Sequence, residues 1–144
     1  MSETQLRLER LIAAPPEHLF ALWTDPEQIA RWWGPDGYQV RSCELDVRPG
    51  GAWRTTVRTA DGQCKTVSGV YRVVEPPRRL VFTWGWVSDD GTRGHETEVT
   101  VTFEPVPGGT RLVLLQQSFE SAEICTLHGQ GWSSAFDRMS RAAS

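Results

Sequence analysis

The residues able to do chemistry are few and far apart. There are three histidines, His18, His95 and His128, and three cysteines, Cys43, Cys64 and Cys125. No two histidines sit four apart on one helix, and neither Cys-x-x-Cys nor His-Glu-x-x-His occurs. The spacing therefore supports no metal site, and no cofactor is expected. Nucleophilic catalysis needs Ser or Cys beside a base that a third group holds, and no Gly-x-Ser-x-Gly elbow is present. Cys43 shares its predicted face with Leu45 and reads as a small core residue. Cys125, near the start of the last helix, could have its thiol tuned by the helix N-terminus, but reads as inert. Gly50-Gly51 and Gly108-Gly109 lack P-loop or dinucleotide spacing and read as hairpin turns. Acid–base chemistry is the better enzymatic reading. Tyr71, Thr55, His95 and Glu96 are its polar groups, with Tyr71 or His95 as acid or base and no residue assigned as catalytic. His95 has the parity of Val99, whereas Glu96 has the opposite parity, with Glu98.

Tryptophan is the outlier, at seven of 144 residues. Trp53, Trp84 and Trp86 have the parity of a buried strand face, and Trp32 and Trp33 precede a Gly-Pro corner. Trp23 reads as core, and Trp132 falls on the last helix. Large rings of this kind either fill a core or line a pocket, where the indole N–H can bond a ligand.

These residues must be positioned by surrounding elements. Leu6 and Leu8 alternate with Arg7 and Glu9, the period of a half-buried strand, which Pro15-Pro16 ends. Pro16 to Trp23 has helical spacing. Asp25 then offers a cap with Pro26 at the first helical position, starting a second short helix to Trp32 or Trp33. Six strands follow at about 39–47, 51–58, 65–74, 79–87, 96–104 and 110–118, separated by Gly-, Pro- and Asp-rich turns. Short connections make successive strands antiparallel neighbours. Val99, Val101 and Phe103 share one face, as do Leu80, Phe82, Trp84 and Trp86, and Leu112 with Leu114. Gly69, Tyr71 and Val73 are read as a further inward row, while Arg54, Arg58 and Arg72 point outward. Ser121 to Ala143 lacks proline and repeats Leu127, Trp132, Phe136 and Met139 near helical spacing, giving one long cover helix. Gly129 and Gly131 weaken that helix unless a close approach or a kink requires them.

Composition excludes several classes. A net charge of −3 with no basic run gives no electrostatic footprint for nucleic acid. No apolar stretch approaches the ~20 residues of a membrane-spanning helix. The first nine residues lack the apolar segment of a signal peptide, and an odd set of cysteines argues against a disulfide framework, so a cytoplasmic protein is expected. Residues 1–144 read as one domain. The element order is that of an α+β helix-grip: a curved seven-stranded antiparallel sheet around a C-terminal helix, with two short helices after the first strand.

Particular segments carry a resemblance. Ile12-Ala13-Ala14-Pro15-Pro16 with Leu19 to Thr24, and Ile29 to Pro35, are similar to the start of the family named after the activator of Hsp90 ATPase. Pro49-Gly50-Gly51 before Trp53, Gly69-Val70-Tyr71, Glu75 to Trp84, Val99 to Glu104, Gly109 to Leu112 and Gly131-Trp132 match in order along nearly the whole chain. The resemblance implies the Bet v 1-like and START-like superfamily (SRPBCC), which shares a cavity more than a chemistry. It implies a pocket for a small apolar or aromatic ligand, lined by Trp33, Trp53, Tyr71, Trp84, Val101, Leu114, Trp132 and Phe136. Polyketide cyclases of that group imply the alternative of a cyclase- or hydrolase-like enzyme. A protein-interaction module related to Hsp90 co-chaperones is the third reading, and a homodimer through a sheet edge or the short helices is compatible with all three. A binder should show a cleft of roughly 300 Å³ or more.

Overall fold

The computed structural model describes residues 5–143. Strand β1 (Leu6–Ile12) is followed by helices α1 (Pro16–Thr24) and α2 (Pro26–Ile29). Strands β2 (Gln39–Leu45), β3 (Ala52–Arg58), β4 (Cys64–Glu75), β5 (Arg79–Val87), β6 (Thr97–Val106) and β7 (Gly109–Gln117) precede helix α3 (Ala122–Ala143). All pairings are antiparallel, in the order β1-β7-β6-β5-β4-β3-β2. The six consecutive strands form a meander, each joined to the next by a direct loop, the longest running over 88–96. The segment containing α1 and α2 carries the chain from one edge of the sheet to the other.

Local chemistry sets the ends of the elements. Asp25 accepts the Glu27 N–H at 3.0 Å with Pro26 behind it, so α2 starts where expected. It stops at Ile29, earlier than its apolar spacing implies, and continues as turns through Trp33. Ser121 Oγ accepts the Ile124 N–H at 3.2 Å and caps α3.

One face of the sheet is apolar and lies under α3. Val99, Val101, Leu112 and Leu114 are fully buried there, with Phe136 and Met139 of α3 above them. In β4 the register shifts between Tyr71 and Val73, so the inward row passes from Tyr71 to Val74, which packs on the core. The unbroken row ending at Val73 is thus corrected by a bulge, which adds one residue and inverts the parity beyond it. Gly129 of α3 passes over β1, where an added Cβ would lie 3.3 Å from Leu6 Cδ1. Gly131 meets only Pro35 Cγ, at 3.8 Å, and opens onto the cleft described next.

Candidate functional site

Between α3 and the β3–β5 part of the sheet lies a cleft of about 350 Å³. The sheet supplies Val57, Val67, Trp84 and Trp86, and α3 supplies Ile124, His128, Gly131, Trp132 and Ala135. The corner after α2 closes one side with Trp33, Gly34, Pro35 and Tyr38. Lys65, Glu120 and Leu127 complete the lining, and all three are exposed. Its walls are mostly apolar because the inward rows of β3, β4 and β5 meet here, and the space is open because one of the facing positions of α3 is Gly131.

All seven tryptophans form one contiguous cluster around this cleft. Trp33 stacks on Trp84 at 5.5 Å, and Trp84 touches Trp132 at 5.3 Å and Trp86 at 5.7 Å. Trp23 stacks on Trp132 at 5.7 Å and meets Trp32 at 4.7 Å, while Trp53 meets Trp33 at 6.0 Å. The high tryptophan content is thereby concentrated in one place. Trp86 is 41% exposed at the mouth, whereas Trp84 is 7% exposed. Val70 and Leu11 are also exposed, but neither belongs to this lining.

A buried polar chain fixes the helix to the sheet beside the cleft. Trp132 Nε1–H donates to Gln116 Oε1 at 2.8 Å, and Gln116 Nε2–H donates to Thr97 Oγ1 at 2.8 Å. Trp53 Nε1–H donates to the Thr83 carbonyl at 3.0 Å and Trp32 Nε1–H to that of Leu22 at 2.7 Å. The buried Nε1–H groups of Trp23 and Trp84 have no partner among the described residues. The corner is held from α3 as well. Arg138 Nη1 donates to the carbonyls of Trp33, Gly34 and Pro35 at 3.0–3.1 Å. Gly34 has φ +88°, which lets the chain turn there and present Trp33 and Pro35 to the cleft.

The eight residues expected to line a pocket divide three ways. Trp33, Trp84 and Trp132 line the cleft. Trp53 and Tyr71, again with Trp33, border a void of about 10 Å³ deeper in the core. Val101, Leu114 and Phe136 are fully buried at 0% exposure and line neither space. Of the acid–base candidates, burial pushes the Tyr71 phenol upward and keeps it protonated. His95 is exposed outside the cleft, with Nε2 bonded to the Ser118 carbonyl. Burial also raises the Cys43 and Cys125 thiols, opposing a reactive role. Among the described residues no group of His, Cys, Asp and Glu is arranged to hold a metal.

His128 is the histidine that reaches the cleft, although it is not among the acid–base candidates read from the sequence. It packs on Phe119 at 4.9 Å, Trp84 at 5.8 Å and Trp86 at 6.3 Å. Burial lowers its pKa from the ordinary 6.5. Below pH 6.5 the unfolded chain binds this proton more readily than the folded one, so His128 favours folding above that pH and the contribution is lost as pH falls. The melting temperature is therefore expected to fall between pH 7.5 and 5.5, and His128→Phe to flatten that fall. A fall of equal slope in the variant would refute the assignment.

The sheet order, the long gripping helix and the two short helices define the helix-grip fold of Bet v 1-like proteins. The chain belongs to the family described as activator of Hsp90 ATPase homolog 1-like protein, whose model matches residues 13–144. It is 37% identical to the AHSA1 protein from Silicibacter pomeroyi, covering 95% of each chain with a TM-score of 0.88. A protein from Rhodobacter sphaeroides is 27% identical, with 96% of this chain and 91% of that chain covered and a TM-score of 0.81. A protein from Nitrosomonas europaea, 22% identical over 99% and 95% of the chains, shares the fold at a TM-score of 0.83. No curated protein matches the chain. The fold is of a ligand-binding type, and no helix among the described residues is long and apolar enough to cross a membrane.

Proposed function

We propose that this protein binds a small apolar or aromatic molecule in the cleft between the sheet and α3. The observation that carries the reading is a space of about 350 Å³ bounded by Trp33, Trp84 and Trp132, in which a flat or aliphatic body exchanges water for aromatic contact. Ligand bound only to the native state raises the melting temperature by mass action. A panel of naphthalene derivatives and medium-chain acyl compounds, followed by tryptophan fluorescence and melting, is the assay.

Gly131→Leu supplies the control. A Cβ at position 131 meets only ordinary contact, and replacing a helical glycine is worth roughly 0.5–1 kcal/mol, so this variant is expected to fold at least as stably as the natural chain. Its side chain enters the cleft and should abolish both ligand-induced signals. Undiminished binding in a well-folded Gly131→Leu would move the site elsewhere.

One observation favours a second reading. His128 is a basic group held unprotonated in the apolar wall, as a general base for a cyclase- or hydrolase-like reaction would be. Turnover of a bound carbonyl compound that His128→Phe removes while leaving binding intact would establish it; binding without turnover returns the protein to the first reading.

A further inference from the structure

We propose that the cleft selects amphipathic anions, holding an apolar body against Trp84 and Trp132 and a carboxylate at the ammonium of Lys65. The inference rests on the ligand-binding reading above and adds the polarity and charge of the ligand. Lys65 is the only lysine in the chain. It stands on the inward row of β4 with Val67 and Tyr71, directly across the strands from Val57, rather than on the outer face where charge is solvated without consequence. Its stem thus belongs to an apolar wall, with its charge at the mouth.

Arg10, a cation on the same concave face but in β1, shows the usual way of accommodating such a charge. It pairs with Asp137 at 2.6 Å and lies over the Phe136 ring at 5.9 Å. Lys65 forms no ion pair among the described residues, although it lines a cleft. A ligand bearing an anionic acceptor matches that unpaired charge. Glu120, the acid at the mouth, would suit a cation instead. Aromatic recognition of a cation encloses it among several ring faces, however, and here one face of Trp84 is already covered by Trp33 at an interplanar angle of 29° and one face of Trp132 by Trp23 at 25°.

The test compares 2-naphthaleneacetic acid with its uncharged amide, titrated into the natural chain, Lys65→Gln and Lys65→Arg. Octanoate in parallel separates an aryl from an acyl body. A charge-assisted pair at the mouth should favour the acid over the amide by about tenfold, lose that preference in Lys65→Gln, and keep it in Lys65→Arg. Because Lys65 is the sole lysine, the bound acid should also protect one side-chain amine from reductive methylation, with the N-terminal amine as internal reference. Equal binding of acid and amide to the natural chain overturns the anion proposal and leaves the cleft reading standing. Preference that survives in Lys65→Gln also overturns it. Failure of every probe, charged and uncharged, overturns both.

Discussion

Gly69→Val is expected to be among the most damaging single substitutions in the molecule, lowering stability by more than about 3 kcal/mol. The position lies in β4 opposite Trp53 of β3. A Cβ there would lie 1.8 Å from the Thr83 carbonyl oxygen and 2.7 Å from Trp53 Nε1. Those two atoms are the acceptor and donor of the bond that seats the Trp53 indole across the glycine. Backbone, not a pliable side-chain tip, must therefore move, and the move breaks a buried hydrogen bond. For a domain of this size the melting temperature should fall by roughly 10 °C or more. A shift within about 2 °C would show that β5 yields at this point without consequence.

Trp132→Ala should be comparably severe. Its ring contacts Trp23, Trp33, Trp84 and Phe136, and its Nε1–H satisfies Gln116, which is 0% exposed. Truncation removes the packing between helix and sheet and leaves a buried acceptor unmade, for a loss of about 3–5 kcal/mol. Trp132→Phe separates the two contributions, since it keeps most of the ring volume and forfeits the bond, for about 1–2 kcal/mol. Chemical denaturation of both variants checks the pair. If Trp132→Phe proved as damaging as Trp132→Ala, the polar chain through Gln116 and Thr97 would outweigh the packing.

The fold was legible because its signals are local. Turn residues separated every strand, alternation marked Val99 to Phe103 as a half-buried row, and short loops left a meander as the simplest topology. Asp25, with Pro26 behind it, announced its cap directly. The bulge after Tyr71 was not legible, because Val73 and Val74 both suit a buried strand and only the register chooses between them. The site was half legible for a related reason. Parity says which face of the sheet a residue occupies, not how deep beneath the helix it lies. Val101 and Leu114 share a face with Trp84, yet they sit where α3 packs tightly, while Trp84 borders the space where α3 offers Gly131. Leu127 illustrates the same limit on the helix: its spacing fits the apolar stripe, but it is 56% exposed at the rim of the cleft. The role of His128 depends on the rotation of α3 about its axis, a long-range packing result with no local sequence signal.

The seven indoles provide the most direct test of the central claim. In a ¹⁵N-labelled sample each Nε1–H gives its own resonance, and residue assignment follows from single Trp→Phe variants. On titration with 2-naphthaleneacetic acid the resonances of Trp33, Trp84, Trp86 and Trp132, which line the cleft, are predicted to shift and saturate together. That of Trp32, fully buried and bonded to the Leu22 carbonyl, should stay in place. Saturable shifts confined to indoles outside the cleft, or none under conditions where the chain is folded, would contradict a binding site between the sheet and α3.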